Sequence, residues 1–142
     1  MAKSDLERLR DYFDATSKLE VEKAKSLFHE DIVIEAPFTP KLISAAVPKR
    51  MEGQQAAFAM YDSLPKMVTP LNFSNIQIYP LQEPEEFLAT YQSSATMLAT
   101  SLPYKQSYIS RFRFKDEKII LIAEYYDAIT LLTALGGSVK LG

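Results

Sequence analysis

The chain has no cysteine and no tryptophan, and its 142 residues include one histidine and four glycines. Without cysteine there is no disulfide, no thiolate nucleophile and no Cys-ligated metal. One histidine is too few for the nitrogen-rich ligand sets that hold zinc, so neither metal nor other cofactor is expected. Charge of one sign is also lacking. Sixteen Lys and Arg against eighteen Asp and Glu leave a formal net charge of −2, which provides no footprint for nucleic acid or for an acidic membrane surface. No segment reaches the roughly 18–20 apolar residues that a membrane span requires, and MAKSDLERLRDYF has no uninterrupted apolar core of a signal peptide. A cytoplasmic location is the default expectation. No charge run or low-complexity tract interrupts the chain, so residues 1–142 are expected to fold as one domain.

What is present is a change of period along the chain. Ser4-Asp5-Leu6-Glu7 has the form of a capping box, and Leu6, Leu9 and Phe13 follow at helical spacing. Ser17 and Glu20 repeat the capping pattern ahead of Val21, Ala24 and Phe28, which predicts a second helix ending at His29-Glu30-Asp31 and a hairpin between the two. His29 then sits where an imidazole meets free carbonyls. Ile32 to Ala36 is a short β-branched run closed by Pro37. Residues 37–50 carry Pro37, Pro40 and Pro48 among Phe38, Leu42, Ile43 and Val47, a composition suited to a lid over a cavity. Gln54 to Leu64 is helical in pattern, and Pro65 is expected to stop it.

From Leu71 the period becomes two, with runs near 71–79, 86–98, 104–114 and 118–126. In the second run Thr90, Gln92, Ser94 and Thr96 alternate with Phe87, Ala89, Tyr91, Ser93, Ala95 and Met97. In the third, Gln106, Tyr108, Ser110, Phe112 and Phe114 alternate with Lys105, Ser107, Ile109, Arg111 and Arg113. Such strands have one wet face and one that helices must cover. The chain ends with Asp127, a helix N-cap by chemistry, a segment to Leu135 and a glycine stop. The fold class is therefore α+β: a cone-shaped, curved antiparallel sheet wrapped around a helix hairpin and a third helix, open at its wide end.

The order of elements, the segment FHEDIVIEAP from Phe28 to Pro37, and the closing Glu124-Tyr125-Tyr126-Asp127 resemble the SnoaL-like branch of the ketosteroid-isomerase-like superfamily, which also includes nuclear transport factor two. The resemblance covers nearly the whole chain and implies a cone-shaped pocket and a homodimer. Steroid isomerases of that superfamily use a tyrosine on helix one, an aspartate after the first strand and a second acid on a later strand. Tyr12 matches the tyrosine, whereas Ala36 and Ser110 stand at the positions of the two acids. Limonene epoxide hydrolases of the same fold use an arginine and two aspartates around a water. Glu124 matches one of those aspartates and Glu35 stands where an asparagine holds the water, but Tyr91 and Ser93 replace the Arg–Asp pair. Neither catalytic set is intact.

The candidate catalytic residues are Glu124, Tyr12 and Glu35. Glu124 follows Ile120 and Ile122 at period two, so strand parity turns it toward the cavity. There a carboxylate loses hydration and its pKa rises, which makes it an acid or base near neutral pH. The competing reading is an edge glutamate paired with Lys or Arg. Tyr12 either donates to a substrate oxygen or packs as a core tyrosine. Glu35 shares parity with Val33 and is placed inward beside Glu124, or is solvated. Val33, Tyr91, Ser93, Ala95, Gln106, Tyr108, Ile122, Tyr126 and Leu131 are the expected pocket wall, each also readable as core. The function expected is a pocket for an apolar, oxygen-bearing small molecule, with cofactor-free isomerase, polyketide-cyclase or dehydratase-like chemistry. The alternative is a non-catalytic ligand-binding or assembly module. Arg111, Arg113 and Lys105 read as a solvated or interfacial stripe, and the homodimer is expected through that outward face.

Overall fold

The computed structural model describes residues 2–142, and within them are four α-helices and six strands. The order is α1 (Asp5–Ser17), α2 (Val21–Lys25), β1 (Phe28–Glu35), a 3-10 turn (Lys41–Ile43), β2 (Arg50–Glu52), α3 (Gln54–Met67), β3 (Ser74–Pro80), β4 (Glu86–Thr96), β5 (Pro103–Lys115), β6 (Lys118–Tyr126) and α4 (Ala128–Ala134). All six strands form one sheet in the order β2-β1-β6-β5-β4-β3. The fold is the α+β cone expected from the sequence. Its sheet is antiparallel throughout except where β1 runs parallel to β6.

Helix α1 begins where the capping box placed it, with Ser4 Oγ accepting the Glu7 N–H at 3.1 Å. One face of it, Leu9, Tyr12, Phe13 and Thr16, is buried. Opposite stands the inner face of β5, where Tyr104, Gln106, Tyr108, Ser110, Phe112 and Phe114 are buried. The intervening residues from Lys105 to Arg113 face outward. Strand parity thus delivers one apolar concave surface against the helices.

Four local expectations are corrected. The second helix stops at Lys25, and Phe28 and His29 belong to β1, where Phe28 is buried opposite Ile119 and His29 Nδ1 accepts the Asp31 N–H at 3.0 Å. His29 therefore caps no helix. Pro65 lies inside α3, which continues to Met67. So close to the helix end its missing N–H forfeits one bond, while the Val68 N–H still reaches the Leu64 carbonyl at 3.0 Å. The run from Leu71 becomes a strand only at Ser74, and the three-residue strand β2 closes the loop after residue 49. Lastly, β6 is bulged. Arg113 pairs with Leu121 but Phe114 pairs with Ile119, so Ile120 is the extra residue and leaves the inner face. Ile119, Ile122 and Tyr126 are buried inward, and Glu124 pairs with inward-facing Ser110.

On the outer face Arg111 Nη1 and Arg113 Nη2 both reach Glu86 Oε1, at 2.7 and 2.8 Å. The arginine pair holds the Glu86 carboxyl below its ordinary range, Arg113 contributing most. Part of the stripe read as free or interfacial is thus occupied within the chain, tying β5 to β4.

At the far end of β6, Asp127 Oδ1 accepts the N–H groups of Ile129 and Thr130 at 2.9 and 3.4 Å and starts α4. Gln106 clamps the same junction, its Nε2 donating to the Asp127 carbonyl at 2.9 Å and its Oε1 accepting the Asp127 N–H at 3.0 Å. Asp127→Ala is expected to cost about 1 kcal/mol through the lost cap, read as a lower denaturant midpoint. An unchanged midpoint would show that the Gln106 clamp alone holds α4.

Candidate active site

The concave face and the helices do not close on each other completely. Between them lies a cavity of about 130 Å³. Its helical wall includes Tyr12 and Thr16 of α1 with Tyr61 of α3, and its sheet wall includes Tyr108 of β5 with Ile122 and Glu124 of β6. Tyr126 and Leu131 close the end toward α4, while Val47 and Pro48 bring the 37–48 loop over the rim. That loop is tied down where the buried Thr39 hydroxyl is hydrogen-bonded to the Tyr126 hydroxyl.

Glu124 is half-buried and borders this cavity. No side chain or backbone group among the described residues hydrogen-bonds its carboxyl or forms an ion pair with it, and no Lys, Arg or His lines the cavity. Burial alone pushes the carboxyl up to about 7. The tyrosines move with it. Burial, and then the nearby Glu124 charge, raises Tyr12 and Tyr91. Burial raises Tyr104 to about 12, and the hydroxyls of Tyr61 and Tyr108 rise well above their ordinary value. Every phenol around Glu124 is therefore a neutral donor near pH 7.

The hydroxyls of Tyr12 and Tyr61 lie 2.6 Å apart. A pair of hydroxyls uses one hydrogen between them and leaves the other free. Thr16 stands one helical turn after Tyr12 on the same face. Its Oγ1 is, among the described residues, the buried side-chain polar atom with no hydrogen-bond partner. This corner of the helical wall thus keeps one hydroxyl hydrogen that the Tyr12–Tyr61 pair does not use.

The structure brings together Glu124, Tyr12, Tyr108, Ile122, Tyr126 and Leu131 around one space. It leaves out others that share their strand face. Tyr91 was expected in the wall, but it lies deeper, stacked on Tyr108 at 4.7 Å between ring centroids and bonded to Ser110 Oγ at 2.8 Å. Ser93 is bonded to the Tyr108 hydroxyl at 2.9 Å, Ala95 is buried beside them, and Gln106 is committed to the Asp127 clamp. These four position the wall from behind.

The inward placement of Val33 is corrected, while Glu35 borders the cavity only at its mouth. Ile32, Ile34 and Ala36 are the buried residues of that segment, and Val33 faces the outer groove beside Arg50 and Arg113. Glu35 stands at the rim, with its carboxylate paired to Arg50. The uniformly apolar even-numbered set goes inward because the opposite parity would turn Asp31 and Glu35 into the core. Tyr61, Thr16 and four methionines were missed. Thr16 had a signal, its spacing of four from Tyr12. The methionines come from β2, α3 and the end of β4, and no sequence period links them.

Comparison with known proteins agrees with this fold. The sequence pattern of the SnoaL-like domain matches residues 9–122. Uncharacterised protein YesE of Bacillus subtilis is 28% identical over 132 residues, spanning 93% of this chain and 87% of its own. A crystal structure from Bacillus subtilis, provisionally assigned as an isomerase, superposes with a TM-score of 0.84 at 27% identity over 96% of this chain and 98% of its own. A Catenulispora acidiphila protein described as having a ketosteroid isomerase-like fold superposes with a TM-score of 0.73 at 14% identity, over 93% of this chain and 94% of its own, a likeness of fold alone.

The unpartnered carboxyl has a consequence for stability. Between its ordinary 4.5 and about 7 the folded chain holds a proton that the unfolded chain has released. Folding is therefore opposed increasingly as pH rises through that window, and the penalty is complete above it, at roughly 3 kcal/mol. Glu124→Gln removes the titration. The variant is expected to be more stable than the parent at pH 8 by roughly 1–3 kcal/mol, with little difference at pH 4.5. Parallel stability profiles from denaturant titrations across this range would contradict a buried, uncompensated Glu124.

Proposed function

The chain belongs to the SnoaL-like domain family, and from that premise we propose that it catalyses a cofactor-free proton transfer, of isomerase, cyclase or dehydratase type, on an apolar oxygen-bearing molecule, with Glu124 as the acid/base. The observation that carries this reading is the Glu124 carboxyl itself, the unpaired one of the two carboxyls bordering the cavity and poised near neutral pH, since Glu35 at the rim is paired with Arg50. A protein that gained nothing from it would be more stable with an apolar residue there.

In this reading the ionised Glu124 takes a proton from carbon next to a substrate carbonyl. The C–H bond breaks, a carboxyl O–H forms, and the electron pair moves onto the carbonyl oxygen as an enolate. The free hydrogen of the Tyr12–Tyr61 pair donates to that oxygen. The phenols remain protonated throughout, because burial holds their pKa values high. Protonated Glu124 then returns the proton to a second position, or drives expulsion of a β-hydroxyl in the dehydratase case. Ala36 and Ser110 supply no second acid, so one carboxyl performs both transfers. The 37–48 loop, latched by Thr39 to Tyr126, shields the step from water.

The experiment is deuterium exchange from solvent into a panel of apolar ketones and enones, followed by NMR. Glu124→Gln is expected to lower the exchange rate at least about 100-fold, and Tyr12→Phe by about 10- to 100-fold through the lost donor. The parent rate should rise with pH through about 7 as Glu124 ionises. Binding of these compounds without exchange would leave a non-catalytic ligand-binding module.

Assembly is part of the same proposal. The outer sheet face, with Ile109 50% exposed and the Phe38–Tyr125 ring pair alongside it, is the surface proposed to join two copies. Sedimentation at micromolar concentration should show a dimer, and Ile109→Asp should shift it to monomer.

A further inference from the structure

We propose that the cavity is selective for one compact, uncharged, unsaturated ring that carries an oxygen function, and that its four methionines set this selectivity. The inference rests on the cavity being the ligand site, and it concerns what fits rather than what reacts.

Size is the first constraint. Drug-sized ligands occupy roughly 300–1,000 Å³, whereas an apolar cavity of about 150 Å³ takes benzene. At about 130 Å³ the space matches a single ring, and a fused second ring would have to project through its mouth. The handful of polar groups on its wall suits an oxygen substituent, with Glu124 on the sheet side and the Thr16, Tyr12 and Tyr61 hydroxyls on the helical side.

Charge is the second. With no cationic side chain in the wall, an anion would meet Glu124 inside and Glu35 at the rim, where the charge of Arg50 is already taken up by Glu35. An ammonium would surrender its hydration for one carboxyl that is itself only partly ionised near neutral pH.

The third constraint is the composition of the wall. Met51, Met60, Met67 and Met97 all border the cavity, so every methionine among the described residues is at this one site. Ser63 Oγ lies 3.9 Å from Met60 Sδ and 3.8 Å from Met67 Sδ, which places the two thioethers of α3 around one hydroxyl. Thioether sulfur contacts the edges of aromatic rings favourably, and an unbranched Met adapts to a flat ligand where Leu would leave gaps. A cluster of this kind favours an unsaturated ring over a saturated one of the same size.

The test is calorimetric titration of the full chain with phenol, cyclohexanol, benzoate, benzylammonium and 2-naphthol. Phenol is expected to bind at least about ten-fold more tightly than 2-naphthol, benzoate or benzylammonium, and about two- to ten-fold more tightly than cyclohexanol. Met60→Ala should improve 2-naphthol relative to phenol at least about ten-fold by enlarging the space. Met60→Leu, which keeps the volume and leaves three methionines in the wall, should lower the preference of phenol over cyclohexanol. If Met60→Ala does not fold, Met67→Ala tests the same wall. Naphthol or either charged ring binding the parent as well as phenol does, or no binding of phenol, overturns the inference. Phenol binding in a protein that transfers no proton ends the catalytic reading and leaves this one standing, while Glu124-dependent turnover of two-ring substrates does the reverse.

Discussion

Everything in this fold hangs on how α1 is seated in the concave sheet. Phe112, fully buried in the last third of β5, meets the edges of Tyr12 and Phe13 at 5.4 and 5.5 Å between ring centroids, and Phe13 in turn meets Tyr91 at 4.8 Å. Edge-to-face contacts of this kind are worth about 0.5–1.5 kcal/mol each beyond the area they bury. Their geometric effect matters more here. They set the rotation of α1 about its axis, and that rotation points Tyr12 and Thr16 along one line toward the open end of the cone. Packed this way, α1 fills the deep end of the sheet with rings and leaves the shallow end as a space.

Glu124 lies at the boundary between the two regions. A carboxyl one pair toward the deep end, opposite Phe112, would be surrounded by rings with no accessible surface. Further toward the outer rim it would be hydrated and ordinary. At Glu124 the strand is still turned inward but the core has run out, so the group is desolvated without being crushed. Its raised pKa therefore follows from position alone, with no neighbouring charge invoked. The same position explains why the tyrosines around it stay protonated, since each shares the loss of water and most feel the carboxylate as well.

The groups that surround the cavity divide into those that face it and those that hold the facing groups still. Tyr108 is fixed from behind by Ser93 and by stacking on Tyr91. Tyr126 is held by Thr39, and α4 with Leu131 is held by Gln106 and Asp127. Side chains with the composition of a pocket wall are thereby spent on rigidity, which is what a small site needs if it is to hold its shape around a small ligand.

The sequence by itself determined β4 and β5 with their two faces, the course of β6, the start of α1 and both ends of α4, because each of those is a local property: alternation at period two, hydroxyl or carboxylate caps, and turns at proline or charge. It also determined that Glu124, Ile122 and Tyr126 would share a face, since three consecutive alternate residues of one strand cannot be separated without a bulge. Where a bulge did intervene, at Ile120, parity carried over from one side of it failed. Parity alone left β1 ambiguous, and only its neighbours in the sheet sent Ile32 and Ile34 inward and Val33 and Glu35 out to Arg50. Tertiary structure alone decided that Tyr91, Ser93, Ala95 and Gln106 would lie behind the wall instead of in it, because depth along a cone is not encoded in the period of a strand. It alone paired Tyr12 with Tyr61 across 49 positions, and it alone collected methionines from three separate elements around one carboxyl. Contacts between distant segments depend on how helix and sheet close on each other, and no spacing within either segment carries that information.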